Sequence, residues 1–120
     1  KVSENSSPWL KGLSGCVVPV AVAHGEGRVD SRGLIALADI DSHVAMRYVG
    51  PTDEPTEDYP YNPNGSTGGI AAITAASGSM LAMMPHPERT FRSSQLVVSD
   101  TGWKGDSPWM QFFRNAKRFI

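Results

Sequence analysis

A histidine and a glutamate two residues apart, His86 and Glu88, are the strongest candidates for chemistry in this sequence. A carboxylate at this spacing can fix the orientation and tautomer of an imidazole and stabilise the imidazolium that forms when the ring accepts a proton. Pro85 and Pro87 flank the histidine and stiffen the turn, which suits a site that must hold precise geometry. Because this short pattern also arises by chance, the alternative is that both are ordinary polar residues of a rigid loop.

The single cysteine, Cys16, is a poor candidate for a nucleophile. A catalytic thiol on an α/β scaffold sits at a tight turn from a strand into a helix, where backbone N–H groups form an oxyanion hole. Cys16 instead enters an apolar run, and no helical pattern follows it directly. We expect it to be a small buried apolar residue. One cysteine cannot form an internal disulfide, which favours a reducing, cytoplasmic location.

Two other loops combine polar side chains with glycines: His24-Gly25-Glu26-Gly27-Arg28 and Asn62-Pro63-Asn64-Gly65-Ser66. The first allows a backbone to approach a ligand or a neighbouring domain closely, or is a glycine-rich turn with a structural histidine. It does not have the glycine spacing of a phosphate-binding loop. The amides of the second either bind a ligand or partner, or simply form a turn. The three histidines and one cysteine are too scattered to predict a zinc site.

Hydrophobic patterning predicts the elements that must position these residues. A buried strand over residues 16–23 is interrupted by Pro19, which favours an edge position. A short helix over residues 30–40 follows, capped by Asp30 or Ser31, and then a strand over residues 43–49. Residues 50–67 hold four prolines and predict a long ordered loop.

The C-terminal half carries the clearest signals. Residues 69–76 and 79–84 predict a β-hairpin with its turn at Ser77-Gly78, so that the His86 turn directly follows a strand. Asp106 or Ser107 can cap a final helix with Pro108 at its first position. Apolar residues then recur every three or four positions, as expected of a face packed on the core: Trp109, Phe112, Phe113, Ala116, Phe119 and Ile120. Arg89 and Arg92 could meet an anionic group, with solvated charges as the alternative.

Composition limits the classes of function. With 120 residues, 40% of them hydrophobic and 19% charged, the chain is expected to form one globular domain. A formal net charge of -1 provides no electrostatic drive toward nucleic acid or anionic lipid. No apolar run approaches the roughly 20 residues of a transmembrane helix, so we expect no membrane partner.

Four segments together carry a family resemblance: PVAVAHGEGR, YPYNPNGSTGGIAAITAASG, MMPHPER and DSPWMQFFRNAKRF. In this order they resemble the C-terminal glutaminase domain of the large, single-chain phosphoribosylformylglycinamidine synthases. The resemblance covers the chain from about residue 8 to residue 120. It implies an α/β fold of the class I glutamine amidotransferase type, flavodoxin-like and three-layered. Residues 1–120 would form the C-terminal part of that domain, with a mainly parallel sheet, a hairpin and a packed C-terminal helix.

The resemblance also implies a Cys-His-Glu triad in which His86 and Glu88 match the histidine and glutamate. In the family the nucleophile precedes the HGEGR segment, which here would place it before Lys1. Because residue 1 is not methionine, we expect a piece of a longer chain that is inactive alone. The thiolate would attack glutamine, form a glutamyl thioester and release ammonia.

The implied partners are glutamine, the preceding part of the domain, and a synthetase domain. The synthetase would use ATP and Mg²⁺ to convert formylglycinamide ribonucleotide to its amidine in purine biosynthesis. No cofactor is expected within residues 1–120. Two alternatives remain: another class I amidotransferase, which the NPNGS and SPWMQFFRNA segments disfavour, and a non-catalytic domain that kept the fold for binding or interaction.

Overall fold

The computed structural model describes residues 1–23, 27–30, 37–97 and 102–120. Its regular elements are α1 (Leu37–Asp41), β1 (Val44–Arg47), β2 (Ile70–Ala75), β3 (Met80–Met83) and α2 (Trp109–Phe119). Of the helix predicted over residues 30–40, residues 31–36 lie outside the described part, and α1 is its C-terminal end. Within the described ranges, no helix has the length and apolar character needed to cross a membrane.

The three strands form one sheet with β2 in the centre, and both pairings are antiparallel. The predicted hairpin is confirmed, and β1 lies within the strand predicted at residues 43–49. At the hairpin turn Gly78 has a φ of +89°, and a Cβ there would lie 2.9 Å from Ser7 Cα, so this position requires glycine.

The mainly parallel sheet expected from the resemblance is not found among the described strands. A parallel pair needs a crossover connection, usually a helix, between its two strands. The connection between β1 and β2 contains turns and one 3-10 turn but no such helix, and β2 joins β3 through a tight turn. Because neither connection contains a crossover helix, both strand pairs are antiparallel.

The prediction of a strand over residues 16–23 is wrong. Only Ala21 pairs there, in an isolated antiparallel bridge with His86. Pro19 has no N–H to contribute to a ladder, and Val17 is exposed rather than buried. The segment therefore contributes one β-bridge, isolated backbone hydrogen bonds such as that from the N–H of Val2 to the carbonyl of Cys16, and several half-buried apolar side chains, but no continuous strand.

Helix α2 packs through its predicted apolar face, except that Ile120, also predicted for that face, lies beyond the helix and is 97% exposed. Trp109 is buried in the main core, and Trp9 stacks against Phe112 and Phe119 at centroid distances of 6.5 and 4.8 Å. A 3-10 turn is formed by Pro8–Leu10. Helix α2 packs against this turn and also contacts the turn at Pro87–Arg89.

Candidate active site

The turn at residues 85–89 holds His86 through its backbone and its neighbours. It begins just after β3, and both flanking prolines, Pro85 and Pro87, are buried. The backbone N–H of His86 donates to the carbonyl of Ala21 at 2.8 Å. Residues Pro87–Arg89 form one 3-10 turn, closed by a hydrogen bond from the N–H of Arg89 to the His86 carbonyl at 3.1 Å. These contacts fix the backbone while leaving the imidazole partly exposed.

His86 and Glu88 are in direct contact, with 2.7 Å between Nδ1 and Oε1. This hydrogen bond is the main cause of a lowered pKa for the Glu88 carboxyl. The carboxyl is therefore ionised near neutral pH, and an ionised carboxylate only accepts hydrogen bonds. It follows that the shared proton resides on Nδ1 of His86, which donates to Glu88.

In this tautomer Nε2 of His86 carries no hydrogen and is not bonded to the Glu88 carboxylate. Nε2 forms no hydrogen bond with the described residues, and the His86 side chain is 32% exposed. In the neutral ring Nε2 carries a lone pair, so it can accept a proton from an incoming nucleophile and return it to a leaving group. Glu88 would stabilise the imidazolium formed in between. An imidazole and a carboxylate in this contact can therefore act as a base and the acid that orients it.

The two arginines after the pair have different surroundings. Arg89 Nε lies 4.0 Å from Glu88 Oε1, and its positive charge contributes a minor part of the lowered Glu88 pKa. Arg92 instead pairs with Asp106 at 3.2 Å, and Asp106 also accepts from Arg114 at 2.7 Å. Of these two arginines, Arg89 is the one that adds positive charge beside the glutamate.

Cys16 lies in a different environment from the His86–Glu88 pair. It is half-buried rather than fully buried, and packs against the apolar core. Together with Val2 and Trp109 it borders a cavity of about 30 Å³ that neither His86 nor Glu88 lines. Its surroundings agree with the expected role of a small apolar residue.

The 62–66 loop is built as a turn. Asn62 and Ser66 are buried and hydrogen-bonded to nearby backbone, which favours the turn interpretation over a binding loop. In the HGEGR segment, residues 24–26 lie outside the described part, and the carbonyl of Gly27 accepts from Asn64. Within the described ranges no three metal-ligating side chains come together.

His43 provides an internal contrast to His86. It lies at the surface just before β1 rather than within the strand predicted over residues 43–49, and its Nδ1 is 3.0 Å from the carbonyl of Thr74. Its ring is therefore held by a backbone carbonyl, with no carboxylate contact among the described residues.

Sequence reasoning missed two contacts that support the 85–89 turn. One is the bridge from Ala21, which no pattern reveals because it joins residues distant in sequence. The other is Ser107, whose hydroxyl donates to the carbonyl of Thr90 and accepts from the N–H of Trp109. The Ser-Pro-Trp sequence predicted a helix start, but nothing in it indicated that the same hydroxyl ties the helix to the turn.

Comparison with known protein families identifies the type of domain. The family model for the CobB/CobQ-like glutamine amidotransferase domain matches residues 1–120, and so includes His86, Glu88 and all the elements that hold them. Domains of this kind are associated with glutamine hydrolysis, a chemistry for which a histidine base held by a carboxylate is suited. On this match over its whole length, the chain belongs to the family of CobB/CobQ-like glutamine amidotransferase domains.

Proposed function

We propose that residues 1–120 supply the histidine and glutamate of a glutaminase site whose thiol lies on polypeptide outside these residues. The observation that carries this proposal is the 2.7 Å contact between His86 Nδ1 and Glu88 Oε1, with Nε2 left available. The sequence itself contains one cysteine, and its cavity is not lined by either residue of the pair. A nucleophile for His86 to activate must then come from elsewhere.

In this mechanism His86 accepts the thiol proton at Nε2, and the thiolate attacks the side-chain carbonyl carbon of glutamine. The C–N bond breaks as His86 returns the proton to the departing nitrogen, which leaves as ammonia. Water then attacks the thioester, with His86 again acting as base, and glutamate is released. Glu88 holds the ring in the required tautomer throughout.

We further propose the biological setting implied by the resemblance. The domain would be the C-terminal part of a class I amidotransferase fold in a phosphoribosylformylglycinamidine synthase. Ammonia would pass to a synthetase domain that uses ATP and Mg²⁺ to make the amidine of formylglycinamide ribonucleotide, in the cytoplasm. The NPNGS and SPWMQFFRNA segments support this setting over other amidotransferases.

The test is to join the chain to the polypeptide encoded upstream of Lys1 and measure glutamate release from glutamine. His86→Ala should lower the turnover by roughly 10²–10⁴-fold, the range for loss of a general base. His43→Ala is the matched control because it removes an exposed histidine held by a backbone carbonyl, and should retain activity. Cys16→Ser should also retain activity.

Three results would contradict the proposal. Full activity in His86→Ala would remove the base from the mechanism, and loss of activity in Cys16→Ser would assign the nucleophile to Cys16. Absence of glutamate release from the extended, folded protein would favour the non-catalytic binding domain instead. The pathway is tested separately by supplying formylglycinamide ribonucleotide, ATP and Mg²⁺ and looking for the amidine.

A further inference from the structure

The 62–66 loop is organised around a buried asparagine. Asn62 is 1% exposed, and both ends of its side-chain amide are engaged. Nδ2 donates to the carbonyls of Thr56 at 3.0 Å and Ser66 at 2.9 Å. Oδ1 accepts from the backbone N–H groups of Gly65 at 2.9 Å and Ser66 at 3.3 Å. The amide thus replaces water for four backbone groups, three in the loop and one at Thr56.

A second asparagine, Asn64, joins this loop to the segment at residues 27–29. Its Nδ2 donates to the carbonyl of Gly27 at 2.7 Å, and its Oδ1 accepts from the Ser66 hydroxyl at 2.8 Å. That hydroxyl in turn accepts from the N–H of Val29 at 3.1 Å. The side chains of Asn64 and Ser66 therefore form a clasp that holds residues 27–29 against the loop.

Asn64 is followed by Gly65, the pairing most prone to succinimide formation. In that reaction the backbone nitrogen of the following residue loses its proton and attacks the side-chain carbonyl carbon, and a missing Cβ removes the steric barrier. Gly65 has a φ of +67°, is exposed, and has nothing within 4 Å of where a Cβ would stand. Solvent base can therefore reach this turn once its hydrogen bonds open.

In the folded chain both reacting groups are restrained. The nucleophile, the N–H of Gly65, is bonded to Asn62 Oδ1, and the electrophile is held at both ends by Gly27 and Ser66. A hydrogen-bonded backbone N–H exchanges its proton only when the bond opens. The same opening is needed before the Gly65 nitrogen can be deprotonated and attack.

We propose that Asn64 is a deamidation site whose reaction Asn62 holds in check, and whose conversion opens the clasp on residues 27–29. The Gly65 nitrogen forms a bond to Asn64 Cγ, its proton passes to solvent base, and the Cγ–Nδ2 bond breaks as Nδ2 takes a proton and leaves as ammonia. Water then opens the succinimide ring to aspartate or isoaspartate. Either product has lost the donor to Gly27 and sets a negative charge against that carbonyl.

The experiment compares the rate of acid formation at Asn64 in the folded chain and in the urea-unfolded chain, at mildly alkaline pH, by mass analysis of peptides. We expect the folded rate to be at least about tenfold lower, as for an N–H that needs local opening. In a folded Asn62→Ala chain the rate should move toward the unfolded value. Ser66→Ala is the second variant if Asn62→Ala does not fold.

Asn115→Ala is the matched control. Asn115 is also buried and hydrogen-bonded, to the carbonyls of Trp9 and Lys11, so its loss destabilises the fold without touching the 62–66 loop. It should leave the Asn64 rate near that of the unaltered chain. After conversion, the N–H groups of Val29 and Thr67, which bond across the clasp, should lose hydrogen-exchange protection.

Equal rates in the folded and unfolded chains would overturn the proposal. So would a folded Asn62→Ala or Ser66→Ala chain that converts no faster than the unaltered chain. If Asn115→Ala accelerates conversion as much as Asn62→Ala, global unfolding controls the reaction and Asn62 has no special role. If the hydrogen exchange of the Val29 and Thr67 N–H groups is unchanged after Asn64 is deamidated, then deamidation does not open the clasp.

Discussion

The 62–66 loop and the 85–89 turn flank the same hairpin, yet they place their polar side chains in opposite environments. Both contain proline and polar residues, and one lies just before β2 while the other follows β3. In the loop, Asn62 and Ser66 are buried and bonded to the backbone. In the turn, the prolines are buried and the polar side chains face solvent.

This difference separates polar residues that build a structure from those available for chemistry. The amide of Asn62 uses both of its ends on the backbone, so it has nothing left for a substrate. His86 uses Nδ1 on Glu88 and keeps Nε2 available, while its position is fixed by backbone bonds and buried neighbours. A functional group is thus recognised by the hydrogen-bonding capacity that the fold leaves unused.

The largest expected effect on stability comes from Asn62→Ala. The substitution leaves buried backbone groups without partners, and should lower the free energy of unfolding by about 3 kcal/mol. His86→Ala, at a partly exposed position, should change it by roughly 0.5 kcal/mol or less. Urea denaturation followed by circular dichroism measures both.

Asn5→Ala is the control for the Asn62 experiment. Asn5 also bonds to backbone through both ends, to Ser3 and Ser7, but it is only half-buried, so water can replace it. We expect a loss of about 1 kcal/mol or less. If Asn62→Ala costs no more than Asn5→Ala or His86→Ala, the distinction between the two regions is wrong.

The features that could be predicted from the sequence are those whose interacting residues lie close together along the chain. The hairpin and α2 were predicted correctly because their patterns are local: alternating strands around a tight turn, and an apolar face after Ser-Pro. The contact between His86 and Glu88 was predicted from a spacing of two residues. Residues 16–23 were mispredicted because a β-branched run specifies extended chain, whereas a strand also requires a neighbour to pair with.

The rest of the site depends on contacts that no local pattern contains. The Ala21 carbonyl meets the His86 N–H across 65 positions, and Ser107 reaches Thr90 across 17. The buried state of Asn62 was also missed, since turn-forming residues are usually exposed. The His86–Glu88 pair could be predicted from the sequence, whereas the long-range hydrogen bonds that hold its turn in place could not.

An intermediate effect is expected at Gly69, which closes the buried loop onto β1. Its φ is +68°, and a Cβ would lie 2.8 Å from the carbonyl oxygen of Tyr48 and 3.0 Å from that of Thr56. Gly69→Ala should therefore cost about 2 kcal/mol, from both the backbone conformation and the clash. Thermal or urea unfolding gives the value.

Gly12→Ala separates the two causes. Gly12 has a φ of +81° but nothing within 4 Å of a Cβ, so only the conformational cost of about 1 kcal/mol applies. A Gly69→Ala cost equal to that of Gly12→Ala would show that the loop yields to the new methyl group. In that case the loop would not be closely packed at Gly69, and close packing would not distinguish it from the 85–89 turn.

The smallest effect is a pH dependence at the turn itself. The pKa of Glu88 is lowered from its ordinary value of 4.5, first by the hydrogen bond from His86. A carboxyl whose pKa is lower in the folded chain stabilises the fold above the unfolded pKa and loses that contribution as pH falls through the folded pKa. The stability difference between the unaltered chain and Glu88→Gln should therefore be constant above about pH 5 and shrink as the pH falls below 4.5. Urea denaturation at a series of pH values measures it.

Two further variants decide whether this dependence belongs to the pair. In a chain carrying His86→Ala, the pH-dependent effect of Glu88→Gln on stability should become much smaller, because the hydrogen bond from His86 is the largest cause of the lowered Glu88 pKa. Glu4→Gln, at an exposed glutamate outside the 85–89 turn, is the matched substitution. Since Glu88 is 54% exposed, solvent screens the contact and the effect must stay well below that of Asn62→Ala. An acid-dependent loss as large as the Asn62 effect would mean that the turn relies on its polar pair for folding, as the buried loop relies on Asn62.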